Sequence, residues 1–348
     1  MKKALSILLV LVMILGLVAC GAAEPTDDNQ AQTPDAGEAT GEASGEATGE
    51  YKIAIVPKMT SIAWFERMEV GINEYNEAHG TSYYYGGSSE GAGQAAYVES
   101  LLAQDFDAIC VVPFDTEALE PILQKAREQG IVVITHEAAS MTNIDYDIEA
   151  FDNEDYGRHF MEQIAEAVGG KGEYIQFVGA TTSASHMQWV GAAQELQEAQ
   201  YPEMKQVGLL ESADDQDQAY NKAKEALLAN PNIVAVQGSA MGDVAGVARA
   251  VEELGLTGKV AVIGTSLVSV SDKYIKSGAI ESIGFWDPAL AGQAMIELAI
   301  AALEGKAADG LALGVSGYEN LKLVDKVFYA SAWIDVDLDS VDDPAFAF

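Results

Sequence analysis

The chain has 348 residues, enough for a leader and two domains, and its formal net charge is −35 at pH 7. Nucleic acid and anionic membrane surfaces would repel so acidic a protein, which excludes both as partners of the folded body. Of the two cysteines, Cys110 lies inside the apolar run AICVV. We expect Cys110 to be a buried hydrophobic residue, and the folded body to contain no disulfide.

The first twenty residues have the pattern of an export signal. Lys2 and Lys3 precede an apolar stretch, residues 4–15, that is too short for a membrane span. The tetrapeptide LVAC, which ends at Cys20, then resembles a bacterial lipobox, in which the cysteine receives a lipid and becomes the new N-terminus. We predict a lipoprotein signal peptide over 1–20 with lipidation at Cys20, the alternative being a plain signal peptide.

Residues 21–50 contain no lysine, arginine or aromatic residue and carry the repeat GEATGEASGEATGE. Such a composition buries too little apolar surface to offset its ordering entropy, so it predicts a disordered acidic tether. The tether would reach roughly 30 Å from the lipid. We therefore expect an extracytoplasmic protein, lipid-anchored to the outer face of a Gram-positive cell membrane, with no other membrane contact.

Apolar, β-rich segments alternate with helical segments throughout residues 51–348. In the first half, helices are predicted at Trp64–His79, Gly93–Gln104 and Glu117–Gln129, between the strand segments YKIAIVP, TSYYYG, AICVVPF and IVVIT. In the second half the strand segments are YIQFVGA, QVGLLES, IVAVQGS, VAVIGTS and IESIGFW. Continuous apolar strands separated by helices predict parallel sheets covered on both faces. The fold class is therefore α/β, with two doubly wound parallel-sheet lobes.

Ligands bind open parallel sheets beyond the carboxyl ends of the strands, so the residues found there are candidates for binding. Three of the four tryptophans lie at or near these ends, beside polar side chains. The predicted ligand-binding residues are Lys58, Trp64, Phe65, Asp115, His136, Glu137, Ser185, His186, Trp189, Ser239, Met241, Trp286 and Asp287.

Other chemistry has little support in the sequence. The four histidines are scattered without metal-ligand spacing, and the clusters DNEDYG and SADDQDQ lack the glycine-centred pattern of a calcium loop. These clusters are more typical of solvated faces and helix starts. No Gly-x-Ser-x-Gly motif or phosphate-cradling loop occurs, so we expect neither an enzyme nor a metal or cofactor site.

Several segments, in this order and spacing, resemble the sugar-type solute-binding proteins of bacterial ABC importers. They are IAIVPKMTSIAWFERMEVGI, DAICVVPFDTEAL, GIVVITHEA, DNEDYGR, HMQWVGAAQE and IGFWDPALAGQ. Within these proteins the chain is most similar to the rhamnose- and autoinducer-2-binding branch, and the resemblance covers residues 52–335. It implies the type I periplasmic binding protein fold, with two lobes joined by a three-segment hinge.

The resemblance also implies domain boundaries. The crossings would fall near Phe151–Asn153, Ile283–Asp287 and Val327–Asp335. We accordingly expect 51–151 as the core of the N-terminal lobe, 152–286 as the C-terminal lobe, 288–328 as a helical region of the C-terminal lobe, and 329–348 as a returning segment.

Only some of the ligand-binding residues of that branch have matching residues in this chain. Three residues match positions that hold a polyhydroxylated ligand in that branch: Lys58, Glu137 and Asp287. The autoinducer-2 binders have aspartate and glutamine where this chain has Ser185 and His186, and tryptophan where it has His136. Glu137 itself replaces an aspartate. We predict that the two carboxylates accept hydroxyl protons while the lysine or an imidazole donates, and that aromatic rings cover the apolar face of the ligand.

The implied function is that of a substrate-binding subunit, a monomer, that captures a sugar-like molecule and delivers it to an ABC permease and its ATPase. Two alternatives use the same kind of pocket: an autoinducer-2-binding protein, and a tethered sugar sensor for a receptor kinase. Sugar-responsive repressors share the fold but begin with a basic DNA-binding segment. The export signal and acidic tether of this chain exclude that class.

Overall fold

The fold is taken from a computed structural model, which describes residues 51–348. The predicted signal peptide, the lipidation of Cys20 and the acidic tether lie outside the described residues.

Strands and helices alternate along most of the chain from residue 51 onward. The strands are β1 (Ile53–Val56), β2 (Tyr84–Tyr85), β3 (Ala108–Val111), β4 (Val132–His136), β5 (Tyr146–Glu149), β6 (Lys171–Val178), β7 (Glu203–Glu211), β8 (Ile233–Gly238), β9 (Ala261–Thr265), β10 (Ser282–Phe285), β11 (Lys322–Val324), β12 (Val327–Tyr329) and β13 (Ile334–Asp337). The helices are α1 (Ala63–His79), α2 (Gln94–Leu101), α3 (Thr116–Glu128), α4 (Asn153–Val168), α5 (Ala184–Gln200), α6 (Gln216–Ala229), α7 (Asp243–Glu253), α8 (Val268–Lys276) and α9 (Pro288–Leu303).

The strands form two sheets, one in each lobe. The first has the order β11-β12-β5-β4-β3-β1-β2 and the second the order β13-β10-β9-β8-β6-β7. All neighbours are parallel except β11 with β12 and β10 with β13. The predicted α/β fold with two parallel-sheet lobes is confirmed, and each late antiparallel strand pairs with a single neighbour.

The buried strand β5 of the first sheet was not among the predicted strand segments. β5 has the sequence YDIE, and its two carboxylates, Asp147 and Glu149, are 0% and 2% exposed. A strand with acidic residues at alternate positions resembles a solvated segment, although both of its faces are covered here. The strand was missed because it contains acidic side chains, and charged residues are rarely buried without a partner.

The chain passes between the lobes three times: after β5, after β10 and after β12. The helix after the second crossing, α9, packs against α1 and against β3 and β4 of the first sheet. The prediction that 288–328 belongs to the C-terminal lobe is therefore wrong. The chain has already returned to the first lobe at α9, and it stays there until β13 joins the second sheet beside β10.

Aspartates begin several helices by accepting hydrogen bonds from backbone N–H groups of the first turn. They are Asp115 for α3, Asp152 for α4, Asp215 for α6 and Asp287 for α9. Two of these helix starts lie in the clusters DNEDYG and SADDQDQ, as predicted.

Helices α1 and α9 approach each other closely at Gly71. A Cβ atom at this position would overlap the backbone of Ala289, which has no room to move as a flexible side chain would. The glycine therefore permits the contact between the two helices. This contact fixes α1, which carries Trp64 and Phe65, relative to the second crossing.

Cys110 is fully buried, and burial raises its pKa, so the expectation of a hydrophobic role is confirmed. Between residues 51 and 348, no helix is both long and apolar enough to cross a membrane. Over the same residues, no three His, Cys, Asp or Glu side chains are grouped closely enough to hold a metal ion.

Candidate functional site

A small cavity lies between the lobes, where the carboxyl ends of strands from both sheets face each other. Its walls come from the segments after β1, β4, β7, β8 and β10, from the end of β9, and from helices α1 and α5. The lining residues are Lys58, Ile62, Trp64, Phe65, Glu137, His186, Trp189, Asp214, Ser239, Ala240, Met241, Thr265 and Trp286. Its volume is about 20 Å³. The structure thus brings together most of the predicted ligand-binding residues.

A buried ion pair on the first lobe provides polar groups to the cavity. Lys58 Nζ lies 2.6 Å from Glu137 Oε2, and the two side chains are each 4% exposed. Burial disfavours the charge on Lys58, but the negative charges of Glu137 and Asp214 outweigh it and raise the lysine pKa. Glu137 has a φ of 59°, an unusual backbone conformation for this residue type, and conformations of this kind are frequent at ligand sites.

His136 lies behind this pair and uses both ring nitrogens inside the protein. Nδ1 lies 2.5 Å from the carbonyl oxygen of Ile148, so it carries the proton, and Nε2 accepts a hydrogen bond from the indole of Trp286 at 3.1 Å. The residue is fully buried, and burial lowers its pKa, which favours the neutral ring. His136 therefore positions Trp286, and it does not line the cavity.

His186 offers a donor from the second lobe. Its Nδ1 accepts a hydrogen bond from the Gly179 N–H at 3.1 Å, so the neutral ring carries its proton on Nε2. Burial, and then the positive charge of Lys58, lowers its pKa well below the usual range. Beside it Ser185 does not line the cavity but lies 3.5 Å from Glu137 Oε2, across the boundary between the lobes.

Aromatic rings form the apolar walls. The Trp64 and Trp286 rings meet edge to face with centroids 4.6 Å apart, and Trp189 and Trp286 are 5.9 Å apart. The Trp189 indole donates to Asn153 Oδ1 at 2.6 Å, which fixes its orientation. By contrast, Trp64 Nε1 is buried and has no hydrogen-bond partner within 51–348, as is also true of Ser239 Oγ.

Two predicted ligand-binding carboxylates lie elsewhere. Asp115 caps α3 through the Ala118 N–H, and Asp287 caps α9 and makes a two-point ion pair with Arg67 at 2.9 and 2.7 Å. Neither lines the cavity. Both follow strands, as ligand-binding residues would, but the same position also suits the first residue of the next helix.

A larger cleft of about 650 Å³ lies next to the cavity. Ile62, Asp214 and Met241 line both spaces, so they stand at the boundary between them. A molecule that reaches the cavity from this side would pass these three residues.

A family model described as a periplasmic binding protein domain matches residues 53–307. The chain belongs to the periplasmic binding protein family. This is a family of extracytoplasmic binding proteins, and the chain is a binding protein and not an enzyme.

Curated relatives of this periplasmic binding protein include the xylitol-binding protein of Mycolicibacterium smegmatis, 29% identical over 60% of this chain and 60% of the relative's length. The D-allose-binding periplasmic protein of Escherichia coli is 26% identical over 79% of this chain and 90% of its own. The match thus covers less than two thirds of the first relative and most of the second.

Two solved structures share the fold of this periplasmic binding protein. One is an ABC transporter solute-binding protein from Clostridium phytofermentas with bound L-rhamnose, with a TM-score of 0.77, 20% identity, and coverage of 85% of this chain and 98% of the other. The other is LsrB from Clostridium saccharobutylicum in complex with AI-2, with a TM-score of 0.76, 18% identity, and coverage of 84% and 99%.

Sequence reasoning missed several residues of this site. Asp214 is the most consequential, since its carboxylate faces the cavity from the loop after β7. It lies in SADDQDQ, which we assigned to solvated faces and helix starts. Asp215, which caps α6, and the exposed Asp217 fit that description, but the buried Asp214 does not. The position directly after a strand was the available signal. Ile62, Ala240 and Thr265 were also missed, because small and aliphatic residues carry no such signal.

Proposed function

We propose that this periplasmic binding protein is the substrate-binding subunit of an ABC importer and captures a sugar or sugar-like polyhydroxylated molecule. The observation that carries the proposal is the cavity between the lobes, where aromatic rings stand beside buried donors and acceptors with unused bonding capacity.

The polar groups suit a ligand with several hydroxyl groups. A hydroxyl donates one hydrogen bond and accepts others, so it needs both kinds of partner nearby. The available donors include Lys58, the Trp64 indole and His186 Nε2, and the acceptors are Glu137 and Asp214. The rings of Trp64, Trp189 and Trp286 offer flat apolar partners for the carbon face of a sugar.

The size of the cavity supports binding by hinge motion. A volume of about 20 Å³ holds roughly one water molecule, far less than a sugar ring. The lobes touch across the cleft, for example where Thr116 Oγ1 donates to the Thr182 carbonyl at 3.3 Å. A ligand can therefore enter only if the lobes separate about the three crossings and then close on it.

The relatives support the same ligand class. Their names specify xylitol and D-allose, and the solved neighbours hold L-rhamnose and AI-2. We propose that the ligand of this chain is of this kind, and that it is passed to a membrane permease with an ATPase. Lipidation of Cys20 would keep the binding protein beside that permease, and Cys20→Ser should release it into the medium.

Calorimetric titration of the purified protein tests the proposal, using L-rhamnose, D-allose, D-ribose, D-arabinose, xylitol and autoinducer-2. We expect at least one compound to bind, and the bound protein to be more compact by small-angle X-ray scattering. If no compound binds, or if scattering is identical with a saturating bound compound, the proposed ligand class or the hinge motion is wrong.

A pair of serines provides a matched control. Ser239→Ala should weaken binding by about 0.5–1.5 kcal/mol, or roughly two- to tenfold, because it removes a polar group that lines the cavity. Ser183→Ala makes the same change at a serine that is also buried and without a partner within 51–348, but lies outside the cavity. It should leave affinity unchanged.

A further inference from the structure

Asp214 is held in the cavity wall by an unusual local backbone. It is 8% exposed, and both it and Ala213 have φ values of 56°, in the left-handed region that residues other than glycine seldom adopt. A Cβ atom on Gly179 would overlap the Asp214 carboxylate, so the glycine leaves room for it. Backbone strain of this kind persists where the surrounding structure enforces it, and it is frequent at ligand sites.

No structural task accounts for this carboxylate. The next residue, Asp215, caps α6, and nearby Asp243 accepts hydrogen bonds from the backbone N–H groups of Ser239 and Ala240. Asp214 makes no hydrogen bond and no ion pair within 4.0 Å to any residue in the described range 51–348. A buried carboxylate without hydrogen bonds destabilises the folded state, so its place in the cavity points to a ligand.

The charges that face the cavity do not cancel. Lys58 is positive and His186 is neutral, while the cavity holds two carboxylates, Glu137 and Asp214. Burial raises the pKa of Asp214, and the positive charge of Lys58 opposes that rise. With both carboxylates ionised, one negative charge is left in a space that is largely shielded from water. A ligand hydroxyl or amino group would satisfy it, whereas a carboxylate or phosphate on the ligand would be repelled.

We propose that Asp214 is the specificity-determining acceptor of the second lobe, and that the cavity takes polyhydroxylated ligands without an anionic group. This inference rests on the proposed function. Asp214 and Glu137 would hold the ligand from opposite lobes, and Lys58 between them would donate to it. Closure would complete the site, because Asp214 comes from the lobe that moves relative to the other two residues.

Asp214→Asn tests this inference, since it removes the charge and keeps the shape. Asp217→Asn is the matched control, because that carboxylate lies on the same segment but is exposed and pairs with Arg249 at the surface. Two measurements are made: the Tm of each protein without ligand, and calorimetric titration with xylitol and D-xylonate and with D-galactose and D-galacturonate, together with the best binder of the panel above.

We expect Asp214→Asn to have a Tm equal to or above that of the wild type, to bind the neutral ligand at least tenfold more weakly, and to discriminate less against the acid. Asp217→Asn should change none of these. A lower Tm for Asp214→Asn, an unchanged affinity, or wild-type binding of acid and neutral partner with equal strength would overturn the inference. If the wild type binds no compound at all, the proposed function fails instead, and the Tm alone decides whether Asp214 is structural.

Discussion

Replacement of His136 by phenylalanine would show whether this residue positions Trp286 or binds the ligand itself. Phenylalanine keeps a ring of similar size, but it leaves the Trp286 indole N–H without its acceptor and the Ile148 carbonyl without the imidazole donor. Each buried polar group left without that partner costs about 1–3 kcal/mol, so the two together should cost about 2–6 kcal/mol. This is a large part of the roughly 5–15 kcal/mol that stabilises a typical protein.

Urea denaturation of the protein without ligand measures this loss, followed by circular dichroism. His136→Gln serves as the partial rescue, because its amide oxygen can approach the position of Nε2 and accept from the Trp286 indole. We expect the free energy of unfolding to fall in the order wild type, His136→Gln, His136→Phe. Ligand affinity should fall as well, since Trp286 lines the cavity, but only together with stability.

A different pattern would refute this reasoning. If His136→Phe unfolds at the same urea concentration as the wild type and yet fails to bind ligand, the imidazole contacts the ligand directly, as the sequence suggested. A glutamine variant no more stable than the phenylalanine variant would show that the bond to Trp286 contributes nothing.

Two further predictions concern packing and pH. Gly71→Ala should lower the free energy of unfolding by about 1–2 kcal/mol, because overpacking against α9 outweighs the gain in helix propensity. Gly191→Ala, with open space around its Cβ position, should raise the free energy of unfolding by about 0.5–1 kcal/mol. The urea midpoints of the two variants check that the two effects have opposite signs. Burial raises the pKa of Asp243 to about 7, so the folded state binds a proton that the unfolded state does not between about pH 4 and 7, and this contribution to stability is lost as pH rises through 7. Lowering the pH from 7 to 5 should therefore stabilise the wild type relative to Asp243→Asn by up to about 1.4 kcal/mol per pH unit. A difference in unfolding free energy that does not change with pH would contradict this assignment.

The sequence predicted the sheets well because their strands are continuous apolar runs, a local property of the chain. It failed at β5, where Asp147 and Glu149 are buried by strands and helices distant in sequence. It also assigned α9 to the wrong lobe. A helix that is apolar on most sides fits either lobe, and only its contact with α1 shows which one it covers.

The site was predicted in position more accurately than in detail. The strand ends indicated Lys58 and Glu137, which both line the cavity. His136, one residue before Glu137, instead binds the Ile148 carbonyl and the Trp286 indole inside the protein, and no local pattern in the sequence shows those partners. The roles of Asp214 and Asp287 depend on which aspartate caps the following helix. A sequence pattern places both directly after strands and cannot separate the two roles.

The aromatic rings around the cavity and at the crossings between the lobes contact one another in one network, which has a practical consequence. All four tryptophans of the chain belong to it: three line the cavity, and Trp333 packs on Phe151 and Tyr156 where the chain crosses between the lobes for the third time. Their emission therefore comes from the moving parts of the molecule, with no distant tryptophan to add a constant background. Ligand binding should change the emission maximum and the intensity of this intrinsic fluorescence. The rate of binding can then be followed by stopped-flow fluorescence without any attached dye.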